Sequence, residues 1–159
     1  MTVKKLPKLS LAVDSATHLI LAATASTGSG GDQPFWHDLL YHAWRRCGHV
    51  KRVVADAGYD SEENFHFAKF DLSITALVPP RAGRPTDQLP RDPLRRQMHI
   101  TFAKGKHKPA YGQRWQSETV NSMIKRNLGS ALRARSTVSR RHELLLRVLT
   151  HNIMILAQG

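Results

Sequence analysis

Lys8 to Asp14, KLSLAVD, alternates polar and apolar residues, and His18 to Thr24, HLILAAT, is an apolar run of strand length. Ser15, Ala16 and Thr17 between them favour a turn, so the opening predicts a β-hairpin. Residues 26–31, STGSGG, read as a flexible loop, after which Asp32 can cap a helix with Pro34 in its first turn. That helix, Gln33 to Arg46, carries Phe35, Trp36, Leu39, Leu40, Tyr41, His42 and Trp44 around a wide apolar stripe and ends at Gly48. Val50 to Ala57 is a β-branched strand running into Asp56 and Gly58. Ser61, followed by Glu62 and Glu63, opens a helix to about Phe70. Leu72 to Val78 reads as a strand stopped by Pro79 and Pro80.

Periodicity then lapses. Residues 81–109 are rich in Pro, Gly, Arg and Lys and predict a long basic loop, with room for a short helix near Leu94 to Met98. A helix is expected from Gly112 to Leu128, broken by Gly129, and a last one from Ser136 to Ala157. The order β-β-α-β-α-β-loop-α-α is an α/β pattern.

Charge changes the picture more than composition does. The 159 residues are 41% hydrophobic, as in a globular protein, but the net charge is +12. Residues 1–80 hold eight basic and eight acidic residues, whereas residues 81–159 hold sixteen basic and four acidic ones. One basic half beside a neutral half implies a surface facing a polyanion. Cys47 is the single cysteine, which leaves no disulfide frame and no thiolate zinc site. The most apolar segment, LLLRVLTHNIMIL, contains Arg147 and His151 and is shorter than the ~20 apolar residues of a membrane span, so a cytoplasmic location is expected. His37, His42, His49 and His66 fit no paired zinc-ligand spacing and read as surface or half-buried imidazoles. His151 beside Asn152 reads as a polar contact near a site.

Two places carry candidate chemistry. On one continuous helix, at about 100° per residue, Arg114, Glu118 and Lys125 fall about 300°, 340° and 320° from Tyr111, on one narrow face opposite most of Val120, Met123 and Ile124. A carboxylate among two cations and a phenol can hold a metal beside a phosphate; it can equally be a solvated face with i, i+4 Arg–Glu pairing. The other place is Asp56, at the carboxyl end of an apolar strand, where α/β sheets bind ligands and where Mg²⁺ would find a carboxylate. Asp60, four residues on, reads as a turn residue.

The string Tyr111-(2)-Arg114-(3)-Glu118-(6)-Lys125, with ADAGYDS from Ala55 to Ser61, resembles the YREK signature and second-Asp segment of bacterial insertion-sequence transposases of the DDE type. KLSLAVD, the helix after GGD, and RVLTHNIMIL fit the same family, so the likeness covers nearly the whole chain. The resemblance implies a ribonuclease-H-like fold, a mixed sheet with flanking helices. It also implies an Asp-Asp-Glu triad that holds two divalent ions, Mg²⁺ or Mn²⁺. Asp56 would be the second Asp and Glu118 the Glu, both catalytic and metal-binding. Tyr111, Arg114, Lys125 and Arg126 would contact double-stranded transposon-end DNA.

The family's first Asp lies on a central strand upstream of the hairpin, and only seven residues precede Lys8 here. Asp14, at the hairpin tip, is a poor substitute. The expectation is therefore that residues 1–159 form part of a catalytic domain lacking its first strand, inactive alone. An upstream-frame polypeptide would be one partner and a second copy in a synaptic complex another. The alternative is a basic nucleic-acid-binding module without catalysis. Stacking aromatics on a strand face would favour it, but Trp36, Trp44 and Trp115 fall on predicted helices.

Overall fold

The computed structural model describes residues 7–27, 30–31, 33–81, 83 and 88–158. Its elements are β1 (Pro7–Val13), β2 (Ile20–Thr27), α1 (Trp36–Cys47), β3 (Arg52–Val54), α2 (Glu62–His66), β4 (Thr75–Leu77), α3 (Pro93–Ala103), α4 (Lys108–Tyr111), α5 (Trp115–Leu128) and α6 (Thr137–Ala157). The chain divides into two compact units, one of residues 1–31 with 115–159 and one of residues 32–114. Among the described residues no helix is long and apolar enough to cross a membrane.

In the first unit β1 and β2 pair antiparallel, with Leu9 opposite Ala25 and Leu11 opposite Ala23. The period-2 alternation puts Leu9, Leu11 and Val13 on one face, where α5 and α6 cover them. Ile20, Val120 and Ile124 form the buried centre, with Val120 fully enclosed. The hairpin loop is fastened to α6. The Asn152 side chain accepts from the Ile20 N–H and donates to the Ile20 carbonyl, both at 2.8 Å, and so stands in for a neighbouring strand. Buried His151 donates from Nε2 to the His18 carbonyl at 3.0 Å. Between α5 and α6, Arg147 donates to the Gly129 and Ala131 carbonyls, and Glu143 accepts from the Arg133 and Ala134 N–H groups.

In the second unit β3 and β4 run parallel, Arg52 beside Thr75 and Val54 beside Leu77. Trp36, Leu40, Phe65, Ala68, Leu72, Ile74, Ala76 and Val78 make its core. The indole of Trp36 keeps its polar edge satisfied by donating to the Asn64 carbonyl at 3.1 Å. Ser61 caps α2 through the Asn64 N–H, as its place before two acids predicts. The helix then widens into a π turn, Phe67–Asp71.

Several expectations change. The strand expected over Leu72 to Val78 is confined to Thr75–Leu77, because Ser73 takes a left-handed φ of 56° and bends the chain first. The basic loop expected over residues 81–110 contains α3 and α4. The short helix expected near Leu94 to Met98 lies inside α3, which starts at the Asp92 cap and Pro93 and extends to Ala103; Leu94 and Met98 pack on the core while none of its residues is fully buried. In place of one mixed sheet, the described residues form two separate two-stranded sheets. The expected cap at Asp32 and part of the glycine-rich loop, Gly28 and Ser29, lie outside the described residues.

Two substitutions test these packings. Ile74→Ala should cost about 2–5 kcal/mol as a buried cavity. Asn152→Ala should cost about 1–3 kcal/mol by leaving the Ile20 N–H and carbonyl unpaired. Chemical denaturation followed by far-ultraviolet circular dichroism measures both, and an unchanged midpoint for Asn152→Ala would remove the side chain as a strand substitute.

Candidate active site

The β3 pairing continues one residue beyond the strand, the Ala55 N–H donating to the Leu77 carbonyl at 3.1 Å. Asp56 is the first residue past that carboxyl end. Its backbone is extended, and its exposed side chain turns back so that Oδ1 accepts from the Gly58 N–H at 2.8 Å, opening a 3₁₀ turn over Ala57–Tyr59. A Cβ on residue 58 would lie 2.9 Å from that oxygen, which is why the turn takes glycine. One carboxylate oxygen thus shapes the turn while the group as a whole stands at the strand end.

Asp60 is not the turn residue its position suggests. Its side chain is fully enclosed, and Arg95 clamps it with two hydrogen bonds, Nε to Oδ1 at 2.7 Å and Nη2 to Oδ2 at 2.9 Å. Oδ2 also accepts from the Arg81 N–H at 2.9 Å and from His99 Nε2 at 3.3 Å. Burial alone would raise the Asp60 pKa. The Arg95 hydrogen bonds, the Arg81 N–H and the Arg95 charge outweigh burial and hold it below its ordinary value of 3.8. The turn after Asp56 is in this way tied to α3.

The single-helix face of Tyr111, Arg114, Glu118 and Lys125 is interrupted. Tyr111 ends α4, residues Gly112–Arg114 form a 3₁₀ turn, and α5 starts at Trp115. A 3₁₀ turn advances by three residues per turn, so the 100° arithmetic fails across it. Tyr111 packs its ring edge-on to Phe102, centroids 5.2 Å apart. Glu118, in the first turn of α5, and Lys125, in its last, keep their seven-residue spacing and share a face, with Arg126 exposed beside Lys125. Tyr111, Arg114 and Asp56 belong to the second unit; Glu118, Lys125 and Arg126 belong to the first.

Sequence reading missed the support under Glu118. His18, at a left-handed φ of 62°, donates from Nε2 to Gln116 Oε1 at 2.6 Å, holding the first turn of α5 to the hairpin loop that His151 and Asn152 fasten to α6. No spacing rule finds a contact spanning 98 residues. Asp14 accepts from the Ala16 N–H and the Thr17 hydroxyl with its two oxygens, the work of a turn residue.

The family model described as "Transposase DDE domain" matches residues 4–153. No solved structure matches the chain.

The Asp60 clamp has a signed pH dependence. A carboxylate whose folded pKa is depressed contributes stability that is fully present above its unfolded value, here about 3.8, and is lost as pH falls through the folded value. Asp60→Asn should lower stability by about 3–5 kcal/mol near neutral pH, since it leaves Arg95 facing a buried, uncharged partner. The melting-temperature gap between the two proteins should then close below pH 3.8. A gap that stays constant to lower pH would contradict the charged clamp.

Proposed function

As the chain belongs to the transposase DDE domain family, we propose that it acts in DNA transposition by metal-dependent cleavage and joining of strands. The reading rests above all on Asp56, an exposed carboxylate directly past the carboxyl end of β3 inside the matched region. Asp56 and Glu118 would be the two metal-bearing carboxylates, and their residue types fit Mg²⁺ or Mn²⁺, hard ions that prefer oxygen. The ions would supply an activated nucleophile and stabilise the leaving oxygen.

The chain's own residues do the rest. His18 and Gln116 steady the turn that carries Glu118. Gly58 and the Asp60–Arg95 clamp fix the direction of Asp56. Lys125 and Arg126, together with Tyr111 and Arg114, would meet the duplex phosphates, and the sixteen cations of residues 81–159 would bind it beyond the reacting bond.

The third carboxylate is proposed to arrive on an added strand of an upstream polypeptide, and the fold would be ribonuclease-H-like once it is seated. Two observations support this. Asp14 is committed to its turn. The parallel pair β3–β4 has only two strands among the described residues, whereas parallel sheets are normally larger and covered. A second copy would join it in a synaptic complex on double-stranded DNA. The reading without cleavage, a basic DNA-binding chain, has one observation in its favour: the second Asp of ADAGYDS, Asp60, is enclosed and held by Arg95, so it is not free to serve as a further metal carboxylate.

Two outcomes are expected. Affinity for a DNA duplex should fall by about 10³–10⁵ between 50 and 200 mM salt if six to ten phosphates are contacted; flat affinity in a salt titration would remove DNA as the partner of the basic half. Fused to an upstream Asp-bearing strand, the chain should nick transposon-end DNA with Mg²⁺ or Mn²⁺. Glu118→Gln should abolish nicking and leave duplex binding within a few-fold. Undiminished nicking by Glu118→Gln would end the catalytic assignment.

A further inference from the structure

In a chain with 24 basic and 12 acidic residues, acids nevertheless gather at one place in the second unit. Glu62, Glu63 and Asp71 line a cleft of about 470 Å³ together with His37, His66 and Phe67. Glu62 opens α2 and His66 closes it four residues later, so the helical period sets both on one face. Buried Asp92 comes from another element, the cap of α3. Its Oδ1 accepts from the Arg95 N–H at 2.8 Å and its Oδ2 from His66 Nε2 at 2.6 Å. One donor atom from each of Glu62, His66 and Asp92 lies within 4.8 Å of the other two.

A separate feature of the same cleft points to a missing partner. His37 Nε2 is closed off from solvent yet has no hydrogen-bond partner among the described residues. Glu63 Oε1 is 3.9 Å away, beyond hydrogen-bond reach, while the ring stacks on Phe67 at 4.2 Å. A shielded imidazole nitrogen beside an acidic cleft is the kind of group that a bound cation's water would satisfy.

We propose that Glu62, His66 and Asp92 form a binding site for a borderline divalent cation, with Zn²⁺ as its representative, distinct from Asp56 and Glu118. One imidazole nitrogen and two carboxylate oxygens make a donor set that zinc accepts, leaving a fourth position for water. Mg²⁺ fits less well, because it wants near-octahedral oxygen and holds imidazole weakly. Tetrahedral bonds of about 2.0 Å put ligand atoms about 3.3 Å apart, so the His66–Asp92 pair would open by about 0.7 Å. The metal would take the His66 Nε2 lone pair, and that ring would carry its proton on Nδ1. Arg95 interacts electrostatically with Asp92 and Glu62, and its guanidinium is already engaged by Asp60. The bound ion would staple α2 to the start of α3, a structural task outside the cleavage chemistry proposed above.

The test is titration of the full chain with Zn²⁺ alone, followed by calorimetry and by melting temperature. One ion should bind and raise the melting temperature. Glu62→Gln and His66→Gln should each weaken binding at least about tenfold and shrink that rise. Asp92 is left intact because it caps α3. The double variant Asp56→Asn with Glu118→Gln should bind as the parent does, as should His142→Gln, which controls for surface histidines. Absence of binding, or binding indifferent to Glu62→Gln and His66→Gln, would overturn the proposal. Binding lost only in the Asp56→Asn, Glu118→Gln variant would also overturn it and assign the ion to the proposed catalytic carboxylates.

Discussion

The second unit depends on one enclosed carboxylate. Taking Asp60 out of water costs several kcal/mol, and a fully shielded acid survives as an anion only if its lone pairs are filled and a cation stands by. Arg95 fills two of them in a fork, and the Arg81 N–H and His99 supply the rest. Everything that Asp60 touches is thereby located. Residue 81 is drawn back to the turn after β3, α3 is anchored by a charge pair in addition to the partly buried Leu94 and Met98, and Asp56 acquires a fixed hinge four residues downstream. Replacing such a pair with apolar residues often costs little stability elsewhere in nature; here it would leave a basic, proline-rich segment without its attachment.

Local chemistry was legible wherever it repeated a short rule. The alternation of KLSLAVD, the stripe of α1, the Ser61 and Ser136 caps and the Gly48 stop all reappear in the structure. Reading failed where a residue acts at a distance or where the helix type changes. A 3₁₀ turn at Gly112–Arg114 and a π turn at Phe67–Asp71 leave no mark on hydrophobic periodicity, because neither alters which residues are apolar. Helix α3 was legible only in part, as a short helix near Leu94 to Met98. Those two residues pack on the core four apart, whereas the attachments through Arg95 and Asp92 are ionic and have no period.

The two aspartates of ADAGYDS illustrate the limit at the candidate site. Asp56 and Asp60 differ by one helical turn's worth of sequence and share small, polar neighbours, so propensity alone cannot rank them. What separates them is a guanidinium 35 residues away from Asp60. Asp56 stays exposed, with one oxygen held by the Gly58 N–H, and it stands at a strand end, where α/β sheets bind ligands. Glu118 is similar: its helix was legible, whereas the His18–Gln116 bond that steadies its first turn spans 98 residues.

The Asn152 contact to Ile20 has a consequence for how motion in the first unit can be observed. Most strand amides are guarded by another backbone, so their exchange with solvent deuterium reports the opening of a ladder. The Ile20 amide is guarded by a side chain on α6. Its exchange therefore follows the lifting of one helix rather than the parting of two strands. Comparing it with an amide inside the β1–β2 ladder separates those two openings by protection factor alone. A single probe position thus distinguishes fraying of the hairpin from undocking of its cover.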